Sequence, residues 1–234
     1  KKLNDQFIRQ IIIDWNKIET HSYLRKIPAL CGLDRLEFTR PVTFFVGENG
    51  SGKSTLLEAI AVAYGFNPEG GTRNYNFSTY DSHSGLHEVI TIAKGYRRAR
   101  GGYFLRAESF YNVATKEEDY ADADHPSEHY HEKSHGESFL ALAQKRLNPD
   151  GVYIFDDPEA APADTADGDL QLAKSGSQFI IVSHSPILLS IPGAEILTFD
   201  DGPVHPCTYE ETDSYQITKM FIDNREQILQ RLIR

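Results

Sequence analysis

Cysteine is scarce in this sequence. Cys31 and Cys207 are the only two cysteines in 234 residues, and they lie far apart in the chain. Since no CxxC spacing occurs, the sequence predicts neither a zinc site nor a disulfide framework. A reducing compartment, the cytoplasm, is therefore the expected location.

Long apolar runs and an excess of positive charge are also absent. No run approaches the roughly 18 apolar residues that a membrane-spanning helix needs. The opening segment, KKLNDQFIRQ, lacks the apolar core of a secretory signal, so we expect no direct insertion into a membrane. The formal net charge of -10 argues against broad, non-specific binding of nucleic acid, although it leaves room for a local basic patch.

What the sequence does contain is a phosphate-binding loop, GENGSGKST, between a predicted strand, Pro41–Val46, and a predicted helix, Leu56–Ala63. Glycines let such a loop fold into a nest of N–H groups, and the helix N-terminus adds partial positive charge. We predict that Lys53 reaches the β- and γ-phosphates of a nucleoside triphosphate and that the Ser54 hydroxyl binds Mg²⁺. The predicted nucleotide-binding residues of the loop are Gly47, Glu48, Asn49, Gly50, Ser51, Gly52, Lys53, Ser54 and Thr55.

Two later strands deliver polar side chains at their ends. The apolar stretch Val152–Phe155 is followed at once by Asp156 and Asp157, and Gln178–Val182 is followed closely by His184. Asp156 is placed to hold Mg²⁺, directly or through water, and Asp157 to orient or activate the attacking water. His184 is placed to reach the γ-phosphate. We therefore predict Lys53, Asp157 and His184 as the catalytic residues.

A third segment, SHGES, precedes the Asp156 strand and starts a predicted helix. Ser134 and Gly136 can present a hydroxyl and a backbone N–H to a phosphate. The alternative is that Ser134 only caps the helix, with Glu137 at the third helical position.

These segments, in this order, resemble the ATP-binding-cassette (ABC) ATPases, and within them the stand-alone heads akin to RecF and SMC proteins. The resemblance spans residues 42–189 and rests on four sequence segments: VTFFVGENGSGKSTLLEAIA, FLRAESFYNVAT, SHGESFLAL and GSQFIIVSHSPILL. It implies binding and hydrolysis of ATP with Mg²⁺. It also implies a head-to-tail homodimer that forms on ATP binding, in which Ser134, Gly136 and Glu137 face the partner's nucleotide.

The alternation of strands and helices predicts an α/β fold. The resemblance further implies a phosphate-loop NTPase head with a mixed β-sheet core, an antiparallel β lobe and a small helical lobe. We expect one domain over residues 1–234, with the core lobe at about 1–107 and 148–234 and the helical lobe at about 108–147.

The sequence departs from the family pattern in several places. His135 replaces the first of two glycines in the signature. Asp157 stands where the family has Glu, which predicts either slow hydrolysis or a different way of reaching the attacking water. The usual glutamine near Mg²⁺ is absent, and Arg106 or Glu108 occupies its neighbourhood. Glu108 is the predicted third metal ligand, because it can accept bonds there. The segments 108–134 and 160–172 are short for the family's helices.

Further elements are predicted from apolar patterning. Residues 7–13 form the first strand or a lead-in helix, and residues 36–38 and 42–46 form neighbouring strands. Residues 87–93 and 102–105 form strands joined by the basic segment Lys94–Gly101, which is either a solvated hairpin tip or a contact for nucleic-acid phosphate, with the hairpin tip favoured. Residues 138–147 form an amphipathic helix. An antiparallel hairpin is predicted at 195–199 and 204–209, and helices at 215–221 and 225–233.

Three functions agree with these observations. The first is a soluble, dimerising ATPase of the RecF and SMC type, with DNA or an unidentified protein as partner. The second is the nucleotide-binding subunit of a transporter that acts on separate membrane chains. The third is a nucleotide-binding module with negligible turnover, which Asp157 would explain.

Overall fold

A computed structural model of the chain describes residues 4–73, 84–106, 147–158, 173 and 175–232. The strands within these ranges are β1 (Ile8–Ile13), β2 (Arg35–Glu37), β3 (Val42–Val46), β4 (Ile90–Lys94), β5 (Gly101–Arg106), β6 (Gly151–Asp156), β7 (Gln178–Val182), β8 (Glu195–Thr198) and β9 (His205–Cys207). The α-helices are α1 (Lys53–Tyr64), α2 (Leu86–Val89), α3 (Pro186–Leu189), α4 (Asp213–Asp223) and α5 (Arg225–Leu232). The predicted α/β class is confirmed.

The larger sheet has six strands in the order β5-β6-β7-β3-β8-β9. All neighbours are parallel except β8 and β9, which are antiparallel. Every residue of β3 and β7 is buried. Along β3, Val42, Phe44 and Val46 belong to one apolar cluster while Phe45 belongs to the other, because side chains alternate between the faces of a sheet. Burial of both faces explains why these strands are mostly apolar, with Thr43 and Gln178 as their polar residues.

The smaller sheet has three antiparallel strands in the order β2-β1-β4. In β1, Ile11 and Ile13 are buried while Ile12 is exposed, so only one face of this sheet packs against the core. The segment at residues 7–13 is thus a strand and not a lead-in helix.

Helix α1 lies between the two sheets. Leu56, Leu57 and Ile60 are fully buried in a cluster that also holds residues of β1, β2 and β4 and one face of the larger sheet. The helix ends at Gly65, whose φ of 111° is left-handed and whose N–H donates to the carbonyls of Ala61 and Val62. Because α1 is packed on both sides, its N-terminus is held in one place relative to the larger sheet.

Two predictions of strand pairing are wrong. Strand β2 pairs with β1, and β3 has both edges occupied by β7 and β8, so the segments 36–38 and 42–46 lie in different sheets. Strands β4 and β5 also lie in different sheets, so Lys94–Gly101 is not a hairpin tip. In that connector, Arg97 bonds to Asp150 and stacks over the Phe7 ring at 4.8 Å. These strands pair with segments that are distant in the sequence and not with the predicted neighbouring strand.

The other predicted elements have mixed outcomes. The hairpin β8–β9, the closing helices α4 and α5, and strands β6 and β7 are confirmed. Residues 87–89 were predicted as strand but form α2, in which Leu86 is fully buried, and the strand begins only at Ile90. The predicted helix at 138–147 and the helical lobe at 108–147 lie outside the described residues, apart from Leu147.

A buried glutamine joins the two sheets. The Ile8 N–H donates to Gln178 Oε1 at 2.8 Å, and Gln178 Nε2 donates to the Ile8 carbonyl at 2.9 Å. Gln178 is the first residue of β7 and is fully buried. One side chain thus satisfies both backbone groups of a residue in the smaller sheet.

We expect Gln178→Leu to lower the free energy of unfolding by about 3 kcal/mol, because it leaves a buried N–H and a buried carbonyl of Ile8 without these partners. Urea denaturation measures the change. The control is Gln227→Leu, the same replacement at an exposed position of α5, which should change stability by no more than about 0.5 kcal/mol. Equal effects of the two substitutions would contradict a structural role for the Gln178 bonds.

Candidate nucleotide-binding site

The parallel strands bring the predicted site residues to one edge of the larger sheet. Strands β3, β6, β7 and β8 run in the same direction, so the segments after their carboxyl ends lie side by side. The glycine loop follows β3, Asp156 ends β6, and His184 follows β7. A fourth polar residue, Asp200, follows β8.

The glycine loop depends on left-handed backbone at three positions. The φ angles are 139° at Gly47, 83° at Gly50 and 102° at Gly52, values that residues with a side chain rarely adopt. At Gly52, a Cβ atom would also lie 2.7 Å from Cγ2 of Ile27. The predicted helix is present as α1 but begins directly after the loop, at Lys53, three residues before the predicted start at Leu56.

Lys53 is buried inside the loop, with 5% of its surface exposed. Its Nζ donates to the carbonyl oxygens of Gly47 at 2.6 Å and Glu48 at 2.7 Å. Burial lowers the pKa of the Lys53 ammonium below its usual value, while the charges of Asp157, Asp200 and Asp156 act in the opposite direction. The loop therefore holds a positive charge next to the place where it can meet an anion.

Ser54 and Asp156 are in direct contact. The Ser54 Oγ donates to Asp156 Oδ1 at 2.9 Å, so the two predicted metal ligands are brought together across the site. Two adjacent ligands of an octahedral Mg²⁺, each about 2.1 Å from the ion, lie about 3 Å apart. The pair of oxygens therefore fits the geometry that Mg²⁺ requires.

Asp157 and His184 lie at the same small cavity as the loop. This cavity of about 140 Å³ is lined by Asn49, Gly50, Gly52, Lys53, Ser54, Thr55, Asp157 and His184. Asp157 has a left-handed φ of 49°, and its N–H donates to the Val182 carbonyl at 3.1 Å. That bond ties the aspartate to the end of β7, the strand that leads to His184. The three predicted catalytic residues therefore share one cavity.

Four predicted site residues, Glu108, Ser134, Gly136 and Glu137, lie outside the described residues. Their proposed roles are those given by the sequence. Arg106, the other residue considered near the metal, ends β5 in register with Asp156, and its Nη1 bonds to Glu58 of α1 at 2.8 Å.

Sequence reasoning missed one contact of the loop. The Glu48 N–H donates to Asp200 Oδ1 at 2.8 Å, although the sequence placed Asp200 only in a hairpin turn. The sequence signal was limited to the position of Asp200 just after the apolar residues of β8 and Phe199, which resembles the position of Asp156 at the end of β6. That β8 lies beside β3 is visible only in the fold.

A larger cleft of about 1270 Å³ adjoins the loop, and His184 lines both spaces. Its carboxylates are Glu48, Asp200, Asp201, Glu211 and Asp213, and no lysine or arginine occurs among the described residues that line it. Cys207 lies on the same wall. Burial, followed by the charges of Glu211 and Asp200, raises the pKa of the Cys207 thiol to about 11. The cleft beside the loop is therefore strongly negative.

Comparison with known proteins gives three findings. Residues 23–141, which make up half of the chain, match the family described as AAA domain (AAA_23). A 71-residue segment is 38% identical to DNA repair protein RAD50 of Drosophila melanogaster, covering 30% of this chain and 5% of RAD50. A solved structure described as an inward-facing metal-chelate type ABC transporter matches 75% of each chain with 15% identity and a TM-score of 0.38.

The first two findings confirm the resemblance to ABC-type ATPase heads akin to RecF and SMC proteins. The chain spans only a twentieth of the length of RAD50. Within the described residues, none of the helices has the length and apolar character needed to cross a bilayer.

The negative charge of the cleft predicts how Cys207 reacts. In a Cys31→Ser variant, the rate of alkylation of Cys207 by iodoacetamide should rise about tenfold per pH unit between about pH 7.5 and 9.5, because a thiol with a pKa near 11 is still almost fully protonated there. Mass spectrometry of the modified peptide measures the rate. The slope is independent of how accessible the thiol is. A plateau above about pH 9 would show an ordinary thiol and contradict the assignment.

Proposed function

We propose that the chain, which belongs to the AAA domain family, is an Mg²⁺-dependent ATPase that hydrolyses ATP to ADP and phosphate. The observation that carries the proposal is the contact of Ser54 Oγ with Asp156 Oδ1 at 2.9 Å, directly beside the buried Lys53. A hydroxyl and a carboxylate at the separation of two Mg²⁺ ligands, with an ammonium next to them, match the charges of a metal-bound triphosphate.

In this proposal the loop binds and orients the triphosphate. The left-handed glycines let the backbone of residues 47–52 approach the phosphates, and the N-terminus of α1 adds partial positive charge. Lys53 gives up its bonds to the Gly47 and Glu48 carbonyls in favour of the β- and γ-phosphates. Ser54 and Asp156, with Glu108, would hold Mg²⁺, which would supply further positive charge against the phosphate oxygens.

Hydrolysis then requires a positioned water molecule. Asp157 accepts a hydrogen bond from this water and orients it for in-line attack on the γ-phosphorus. The new bond joins the water oxygen to phosphorus, the bond from phosphorus to the bridging oxygen of ADP breaks, and the protons of the water leave with the released phosphate. His184 donates to a γ-phosphate oxygen and stabilises the charge that develops there. An Asp side chain reaches about 1 Å less far than Glu, so turnover is slow.

We expect Asp157→Asn to abolish ATP turnover while the Kd for ATP changes little, because the amide cannot take the role of the carboxylate. Asp157→Glu should keep or raise the rate, since the longer side chain extends the reach of the carboxylate. Release of phosphate measures turnover, and calorimetric titration with Mg²⁺ and ATP measures binding. Lys53→Ala is the control, since it should lose binding and turnover together.

Normal turnover by Asp157→Asn would show that Asp157 is not the catalytic carboxylate, and His184 would then be the residue to test. If ATP binding depends on Lys53 but the wild-type protein releases no phosphate, the chain is a nucleotide-binding module and not an ATPase. Copurification with a membrane-embedded chain would instead favour the transporter subunit.

We further propose that the working unit is a head-to-tail homodimer with two ATP molecules between the protomers. The residues of Gly47–Thr55, Asp156 and His184 come from one edge of one sheet and contact a triphosphate from one side. In the proposal, Ser134, Gly136 and Glu137 of the second protomer contact the γ-phosphate from the other side. ADP lacks that phosphate, so hydrolysis weakens the dimer through differential binding.

A mixing experiment tests the shared sites. Lys53→Ala chains and Ser134→Arg chains, each inactive alone, should recover about a quarter of the wild-type ATPase rate in an equal mixture, because half of the dimers are mixed and each mixed dimer has one intact site. Absence of recovery, together with a monomer at saturating ATP in sedimentation, would contradict the dimer. In that case SHGES acts only as a helix cap.

DNA is the partner that we propose to test first, on the basis of the RAD50 segment. Lys94 at the end of β4 and Arg98 and Arg100 in the connector to β5 are exposed and can contact phosphate groups. Measuring phosphate release with and without linear duplex DNA separates the alternatives. An unchanged rate with no retention of the DNA leaves an unidentified protein as the partner.

A further inference from the structure

Strand β8 fixes Asp200 at the point where β3 passes into the glycine loop. The two strands are parallel and in register up to Val46 and Thr198. Beyond that pair, the Phe199 N–H donates to the Val46 carbonyl at 2.9 Å, and the Asp200 N–H donates to Thr198 Oγ1 at 3.2 Å. Because Phe199 is itself buried, the backbone of Asp200 leaves the sheet from a rigid base.

The Asp200 carboxylate then contacts the first two residues of the loop. Oδ1 accepts the Glu48 N–H at 2.8 Å. Both carboxylate oxygens also lie against Gly47, where a Cβ atom would be 2.9 Å from Oδ1 and 3.0 Å from Oδ2. A side chain at position 47 would collide with the carboxylate, so the contact requires the bare Cα of glycine.

Lys53 holds the same two residues by their carbonyl groups. Its Nζ bonds to the carbonyl oxygens of Gly47 and Glu48 at 2.6 and 2.7 Å. The Glu48 residue is thus held at its N–H by a carboxylate from β8 and at its carbonyl by an ammonium from α1. Binding of a triphosphate draws Lys53 towards the phosphates in the proposed function, and the Asp200 contact then becomes the one that keeps the start of the loop in place.

We propose that Asp200 is a positioning residue of the nucleotide site, which acts through the Glu48 N–H and the Cα of Gly47. The inference rests on the proposed function, since it concerns the same loop. Asp200 acts on the loop and not on the nucleotide. Without this contact the start of the loop is free to move. The entropy cost of ordering it on ATP binding then lowers the affinity for ATP.

The shape of the side chain matters more than its charge in this role. A carboxylate near a triphosphate repels it, so the negative charge by itself opposes binding. Asp200→Asn keeps an oxygen acceptor of the same size at Oδ1 and removes the charge. Asp200→Glu keeps the charge, but its extra methylene displaces the oxygens from Glu48 and Gly47. The two substitutions therefore separate position from charge.

The experiment measures the Kd for ATP with Mg²⁺ by calorimetry, kcat at saturating ATP, and the thermal midpoint without nucleotide. Asp200→Ala should raise the Kd about tenfold with kcat nearly unchanged. Asp200→Asn should bind ATP as tightly as the wild-type protein or more tightly, whereas Asp200→Glu should bind more weakly. The matched controls are Asp213→Ala and Asp201→Asn, two exposed aspartates of the same cleft, which should leave the Kd unchanged.

A folded Asp200→Ala protein with wild-type affinity would overturn the inference. Tighter ATP binding by Asp200→Glu than by Asp200→Asn would also overturn it. That result would show that the charge at position 200, and not the position of its oxygen, sets the affinity for ATP. If Asp200→Ala does not fold, the Kd values for ATP of Asp200→Asn and Asp200→Glu still test the inference. Failure of the proposed function looks different, since the wild-type protein would then show no ATP binding that Lys53→Ala removes.

Discussion

The parallel arrangement of β3, β7 and β6 is the constraint on which the candidate site depends. Strand β7 lies between the strand that carries the glycine loop and the strand that ends in Asp156. Neighbouring strands are about 4.8 Å apart, so β3 and β6 are separated by about 10 Å. Ser54 nevertheless reaches Asp156 at 2.9 Å, because α1 starts beyond the edge of the sheet and crosses over β7. An order that put further strands between β3 and β6 would leave the serine and the aspartate too far apart to act together.

The buried ammonium of Lys53 shows how the site is prepared for an anion. Removing an ammonium from water is costly, and hydrogen bonds to the Gly47 and Glu48 carbonyls offset part of that cost. Three aspartates act on the same charge from the ends of β6 and β8. A negative cleft next to a positive loop gives a steep change of potential across a short distance. Such perturbed groups cluster at functional sites more often than elsewhere.

The sequence predicted which candidate residues lie together better than it predicted how the strands pair. The structure brings together Lys53, Ser54, Asp156, Asp157 and His184, because each follows or ends a strand or loop with a strong local signal and the carboxyl ends of parallel strands meet at one edge. The pairing of β2 with β1 and the separation of β4 from β5 were not found, since pairing with distant segments leaves no local trace. Asp200 was missed for the same reason. Its contact with Glu48 depends on β8 lying next to β3, which only the fold reveals.

The two hydrogen bonds between Gln178 and Ile8 link the smaller sheet to the strand that precedes His184. Strand β7 is bonded to the smaller sheet at its first residue, Gln178, and its last residue, Val182, lies about 13 Å further along the strand and two residues before His184. A fully hydrogen-bonded strand in the middle of a sheet resists stretching along its length. A shift of Ile8 in the smaller sheet therefore acts first on Gln178, the opening residue of the strand that precedes His184.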